Sequence, residues 1–257
     1  MPKFAANLSM MFSEWDFLDR FDAAAQAGFK AVEYLFPYQF SAEAIAERLR
    51  RNGLTQALFN MPPGDWAAGE RGVAALPERF ADVQSAVAKA LEYAEATGAK
   101  RLHLMAGIAA PSSSQAQAAY KRAVVFAAEA LAVQGIMLVL EPINGRNMPG
   151  YFLNDFGAAE RLINELGLAN IKLQFDIYHR QIMHGDVVKA LERLMPITGH
   201  VQVASVPSRN EPGTGELNDE FVFAALDRLG YDGFVGCEYV PAGKTLDGLG
   251  WFERHRA

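Results

Sequence analysis

Short apolar runs recur along the chain, and amphipathic stretches separate them. The runs are Phe4 to Leu8, Ala31 to Leu35, Thr55 to Asn60, Arg101 to Met105, Met137 to Leu140, Ile171 to Phe175, His200 to Val203 and Phe234 to Cys237. Their length and their β-branched and aromatic content fit strands. Between them apolar residues fall at helical spacing, as in Val83, Val87, Leu91 and Ala94, in Tyr120, Val124, Ala128 and Leu131, and in Leu162, Ile163 and Leu166. Gly28, Gly53, Gly98, Gly135, Gly167 and Gly230 stand where each helical stretch should stop, the position that favours a left-handed residue. Ser41, Asn154, Asp186 and Asn218 are the expected helix N-caps. A short helical piece around Leu246 to Arg254 follows the last run.

Eight strand–helix units with no linker between them predict a closed parallel (β/α)8 TIM barrel, one α/β domain over residues 1–257. A content of 51% apolar and 21% charged residues is that of an ordinary globular chain. The net charge of -6, without runs of Lys or Arg, argues against nucleic acid and against an anionic membrane as partners. The most apolar stretch, Ala123 to Leu140, is broken by Glu129, Gln134 and Gly135 and reads as helix, stop and strand. The single Cys237 excludes an intrachain disulfide and lies in an apolar run, where a packing thiol is expected. With no signal-like apolar segment near Met1, a cytoplasmic setting is expected.

A parallel barrel gathers the residues that follow its strands on one face. Glu141, Asp176, Gln202 and Glu238 hold such positions, so three carboxylates and an amide are aimed at one place. Two unit charges about 4 Å apart repel by roughly 4 kcal/mol at an effective dielectric near 20, so the set needs a cation or a shared proton. Its hard oxygen donors suit Mg2+ or Mn2+, with Glu141, Asp176, Gln202 and Glu238 as ligands. Such a metal can acidify the carbon between a carbonyl and a hydroxyl, and Glu141 and Glu238 are the acid/base pair to move the proton. His179, three residues after Asp176, is placed to donate to a substrate oxygen. His103, inside the fourth strand, faces either the barrel mouth or a helix. Arg209, on the loop after Gln202, is the natural fork for a substrate carboxylate. Arg146 and Asn147 are weaker candidates for that work, and Asn7, Glu33 and Asn60 fit hydrogen-bonding roles in barrel closure. Three long connections, Met61 to Pro77, Ala106 to Ser114 and Val206 to Leu217, are expected to cover the opening. In the first, Trp66 is expected to close over a substrate and Arg71 to meet a carboxylate; the alternative is a loop pinned by a buried tryptophan and a surface ion pair.

Ala242-Gly-Lys-Thr245 lacks the earlier glycine of a phosphate loop, and no Gly-x-Ser-x-Gly, Cys-x-x-Cys or dinucleotide fingerprint occurs. The chain resembles the hydroxypyruvate isomerase family of xylose-isomerase-like barrels, which includes 2-oxo-tetronate isomerases. The resemblance rests on Phe4-Ala-Ala-Asn-Leu-Ser-Met-Met-Phe12, Glu33-Tyr-Leu-Phe-Pro-Tyr38, Gly64-Asp-Trp-Ala-Ala-Gly-Glu-Arg-Gly72, Glu141-Pro-Ile-Asn144, Pro149-Gly-Tyr-Phe-Leu153, Phe175-Asp-Ile-Tyr-His179, Glu211-Pro-Gly-Thr-Gly-Glu216 and Gly236-Cys-Glu-Tyr239. It implies that Glu141 and Glu238 give and take the proton, that Asp176 and Gln202 complete a divalent-metal site, and that the substrate is a small hydroxy-oxo acid. Hydroxypyruvate with tartronate semialdehyde, and 2-oxo-tetronate with its 3-oxo isomer, are the expected pairs. A ketose 3-epimerase is the first alternative, although related epimerases often carry histidine where this chain has Gln202. A metal-dependent phosphodiesterase or nuclease needs more histidines than the five present. A third alternative is a binding protein that leaves the acid's protons unexchanged.

Overall fold

Side chains alternate along a strand, so half of each strand faces the barrel axis and half faces the helices. In a computed structural model, which describes residues 1–255, eight parallel strands pair in chain order and the first closes on the last. They are β1 (Lys3–Asn7), β2 (Ala31–Tyr34), β3 (Thr55–Asn60), β4 (Arg101–His103), β5 (Met137–Leu140), β6 (Ile171–Asp176), β7 (Thr198–Val203) and β8 (Phe234–Cys237). The expected TIM barrel is the observed one. β4 stops two residues short of expectation, and β7 begins two residues earlier.

Around the strands lie α1 (Arg20–Gln26), α2 (Ala42–Asn52), α3 (Phe80–Thr97), α4 (Ser114–Ala132), α5 (Phe156–Leu166), α6 (Ile177–His184), α7 (Val187–Leu194) and α8 (Asp219–Arg228). The last helical piece is 3-10, Thr245–His255. All six expected stop glycines have positive φ. Ser41 and Asn218 cap as expected, but Asp155 rather than Asn154 caps α5, because its extended backbone aims the carboxylate at the Ala158 amide. Asp186 precedes α7 in a left-handed conformation and makes no side-chain cap bond. Among the described residues no helix is long and apolar enough to cross a membrane.

The helix-facing side is aromatic. Phe4 meets the rings of Phe223, Trp251 and Phe252, and Phe29 stacks on Phe252 at 4.1 Å, which seals the C-terminal 3-10 helix against the barrel. Cys237 is buried in this packing, as expected. The axial side is different. Ala5, Ala31 and Ala57 form a small cluster of their own, and toward the C-terminal ends of the strands come buried Asn7, Glu33, His103, Gln174, Asp176, His200 and Gln202. Gly236 belongs to this axial set: a Cβ there would lie 2.2–2.4 Å from the Glu33 carboxylate.

The long connection after β3 is fixed across the barrel mouth. Gly72 bridges to Ala106 beyond β4, and a Cβ on Gly72 would stand 2.3 Å from the Met105 carbonyl oxygen. Ile108 bridges to Tyr151 in the same way, tying the loop after β4 to the loop after β5.

Candidate active site

Glu141 follows β5, Asp176 ends β6, Glu238 follows β8, and each is buried. Helix α6 starts at once after β6, so Asp176 is also its N-cap. Its Oδ1 accepts from the amides of Tyr178 (2.6 Å) and His179 (3.3 Å). That bonding fixes Asp176 and sends Oδ2 toward the site, 3.6 Å from His179 Nε2. The same nitrogen is 3.7 Å from Glu141 Oε1, and Glu141 Oε2 is 3.7 Å from His103 Nδ1. One ligand-type atom from each of Glu141, Asp176 and His179 falls within 4.8 Å of the others.

Arg209 enters from the loop after β7. Its φ is +58°, a strained value for a residue with a side chain, and two backbone bonds hold it there: its amide donates to Ser205 (2.8 Å) and its carbonyl accepts from Val240 (2.8 Å). The guanidinium lies over the Tyr178 ring at 5.1 Å. Its Nη2 is 3.1 Å from Glu238 Oε2 and 3.9 Å from Asp176 Oδ2.

Three carboxylates thus share one fixed cation. Burial pushes the Glu141 carboxyl well above the usual carboxylate range; Glu238, Asp176 and Glu33 push the same way, and Arg209 opposes them. Burial, the largest influence, also pushes Glu238 up to about 8; the adjacent Arg209 pulls it down, and Asp176 and Glu33 add to the rise. The histidines supply no compensating charge near neutral pH. Burial drops His103 to about 3, helped by His179 and His200, and drops His179 to about 4, where Asp176 raises it and Arg209 lowers it. Both carboxyls are raised, but Glu141 sits among neutral imidazoles, while Glu238 has the Arg209 guanidinium beside it to draw it toward the carboxylate form.

The structure brings Glu141, Asp176, Glu238, His179 and Arg209 together. Gln202, expected as an oxygen ligand, lies in a hydrogen-bond network: its Oε1 accepts from Gln174 Nε2 (2.6 Å) and its Nε2 donates to Glu33 Oε1 (2.8 Å). Glu33 can only accept, which fixes the orientation of the Gln202 amide. Asn7 (3.0 Å) and His200 (2.7 Å) also hold Glu33, and the single bond from Gln174 leaves Gln202 Oε1 a second lone pair for the expected ligand role. Trp66 and Arg71 pair with each other, guanidinium over indole at 3.9 Å, and Arg71 donates to the carbonyls of Trp66 and Glu70. Trp66 is partly exposed on Phe36, not buried, and the ion pair of this loop joins Glu70 to Arg79.

His103 is the residue whose position the sequence left open. It is 1% exposed, and neither ring nitrogen has a hydrogen-bond partner among the described residues. The signal was available in its alternation with the outward apolar Leu102. Asp176 Oδ2 and Glu141 Oε1 are likewise buried without hydrogen-bond partners among the described residues, whereas Glu238 Oε2 has its ion pair with Arg209. Buried polar atoms are normally paired, so the carboxylates of Glu141 and Asp176, which offer ligand atoms within 4.8 Å of one another, fit a hard divalent cation, with Glu238 joined to Asp176 through Arg209.

A closed parallel barrel with its acidic residues beyond β5, β6 and β8 belongs to a recognisable class. Residues 21–255 match the model of the xylose isomerase-like TIM barrel family, and the chain is a member of that family. It is similar over its whole length to a 2-oxo-tetronate isomerase of Cupriavidus necator, 54% identical over 255 residues that cover 98% of each chain. It is also similar to the hydroxypyruvate isomerase of Escherichia coli, 43% identical over 258 residues and 100% of each. A crystal structure from Brucella melitensis, solved under the name AP endonuclease, family 2, matches with a TM-score of 0.97 at 48% identity over 100% of both chains. The resemblance read from the sequence motifs is borne out.

Proposed function

We propose that the protein is an intramolecular isomerase that exchanges the carbonyl and hydroxyl positions of a short hydroxy-oxo acid by moving one proton through an enediolate. The relatives named as isomerases support the reaction class, and 2-oxo-tetronate and hydroxypyruvate are the first acids to test. One observation carries the reading: two buried glutamates in different charge environments flank one aspartate and one arginine. Arg209 favours a carboxylate at Glu238, which suits a base. Glu141, beside neutral His103 and His179, suits the acid.

In this scheme Glu238 takes the proton from the hydroxyl-bearing carbon, and Glu141 delivers one to the former carbonyl carbon. The hydroxyl proton moves between the two substrate oxygens, and after product leaves, Glu238 gives its proton to solvent while Glu141 takes one back, so the product is an isomer and nothing is consumed. His179 donates to one of those oxygens, and Arg209 receives the acid's carboxylate. Mg2+ or Mn2+ held by Glu141, Asp176, Gln202 and Glu238 would stabilise the negative charge of the enediolate. A nuclease reading fits less well, because carboxylates only 0–5% exposed suit a small acid better than a phosphodiester chain.

Proton NMR in D2O tests the proposal with each acid, with and without added Mg2+ or Mn2+. Interconversion with deuterium appearing at the reacting carbons is expected. Inversion at a single carbon would instead mean an epimerase, and binding without exchange of either acid would reject the reading. Asp176→Asn retains the Oδ1 cap and removes the carboxylate charge, so the thermal shift on adding Mn2+ should fall while the helix stays folded.

A further inference from the structure

Asn144 lies three residues beyond Glu141 and is fully buried. Its Oδ1 accepts from the amides of Arg146 (3.0 Å) and Asn147 (2.9 Å), a tight turn that fixes which end of the side chain is oxygen. The other end, Nδ2, is therefore the atom 2.6 Å from His179 Nδ1. The backbone amide of Asn144 points at the same ring nitrogen from 3.4 Å. Neither group can accept a hydrogen, so His179 Nδ1 faces two donors and must present its lone pair. The ring hydrogen is left for Nε2, the atom that faces Asp176 Oδ2 at 3.6 Å and Glu141 Oε1 at 3.7 Å. A second contact sets the spacing between the turn and α6, since Tyr178 Oη donates to Asn147 Oδ1 at 3.1 Å.

We propose that Asn144 is a positioning residue that locks His179 in its Nε2–H tautomer, so that His179 acts as a hydrogen-bond donor in the site and not as a metal ligand. A metal-bound imidazole needs a bare nitrogen toward the ion and normally donates its other N–H to an acceptor. Here the arrangement is reversed. A cation at this site is left with the oxygen donors, and the imidazole N–H remains for the oxygen on which the enediolate charge develops. The catalytic half of this inference rests on the proposed isomerisation; the tautomer does not.

The experiment is a long-range proton–nitrogen correlation spectrum of protein labelled with 15N-histidine, with His179 assigned through its loss in His179→Gln. His179 should carry hydrogen on Nε2 alone, and should keep it when Mg2+ is added. A proton on Nδ1 in the wild type, or loss of the Nε2 proton with Mg2+, would overturn the lock. Asn144→Asp keeps the turn acceptor but offers the ring an acceptor too, so Nδ1 should become protonated. An unprotonated Nδ1 in that variant would also count against the lock, and if the variant does not fold the wild-type spectrum decides alone. With the acid that the wild type turns over, Asn144→Asp should lower kcat by about 10²-fold with a much smaller change in KM. A protonated Nδ1 with unchanged kcat would reject the catalytic half. A wild type that turns over neither acid would reject the isomerase reading and leave the tautomer result standing.

Discussion

Replacing Glu238 by Gln separates catalysis from stability in a way the structure allows to be estimated. The side chain keeps its length and loses its charge. Arg209 Nη2 lies 3.1 Å from Glu238 Oε2, an attraction of about 5 kcal/mol at an effective dielectric near 20. Asp176 Oδ2 is 3.9 Å from the same nitrogen, which keeps the two carboxylates within about 7 Å and their repulsion at about 2 kcal/mol or more. Glu141 adds a further repulsion when it is ionised. Repulsion offsets part of the attraction, so the variant should stay within about 3 kcal/mol of wild type, a shift of no more than about 12 °C in Tm for a chain of this size. Turnover should behave differently. Loss of the base is expected to lower kcat by about 10²- to 10⁴-fold, or about 3 to 5 kcal/mol of barrier. The assay is deuterium incorporation from D2O by NMR on the acid that the wild type converts, beside a thermal melt of the same preparation. A folded Glu238→Gln protein that exchanges within threefold of wild type would refute the role.

Arg209→Ala should raise KM for the acid about 10- to 100-fold, the worth of a charge-assisted pair; steady-state kinetics on a variant with a normal melt would remove the role if KM were unaltered. Gly236→Ala would put a Cβ 2.2–2.4 Å from a Glu33 carboxylate held by three donors, and should destabilise by about 1 to 3 kcal/mol in denaturant titration. Wild-type stability there would mean that Glu33 is free to move. For Glu141 the folded pKa lies above the unfolded value of about 4.3, so the folded state holds the proton more tightly. The stability this contributes is full below that value and is lost as pH rises toward the folded pKa. Glu141→Gln removes the loss. In chelator-treated protein, its Tm relative to wild type should therefore climb between pH 5 and pH 8, and a constant difference would contradict the assignment.

The barrel was legible because its cues are local. Alternating apolar runs, helical spacing and stop glycines each act over a few residues, and β3, β5 and β8 fall where the pattern put them. Strand ends carry the same information, which is why Glu141, Asp176 and Glu238 were readable as neighbours once a closed parallel sheet was inferred. The cap of α5 moved by one residue because Asn154 and Asp155 have nearly equal cap preference, and only the backbone angle chose between them.

What the linear pattern held, then, was the order of the strands and the acidic residues at their ends. Which atoms those residues turn toward one another was decided in three dimensions. Gln202 and Asp176 pair in register on adjacent strands, yet the amide turns to Glu33, 169 positions away in the chain, because a buried acceptor-only carboxylate needs donors wherever the barrel closes around it. Trp66 and Arg71 stacked on each other for a similar reason, since the loop could satisfy their groups internally. Hydrogen-bond geometry depends on distances of a few tenths of an ångström between remote segments, and a one-dimensional pattern does not contain them.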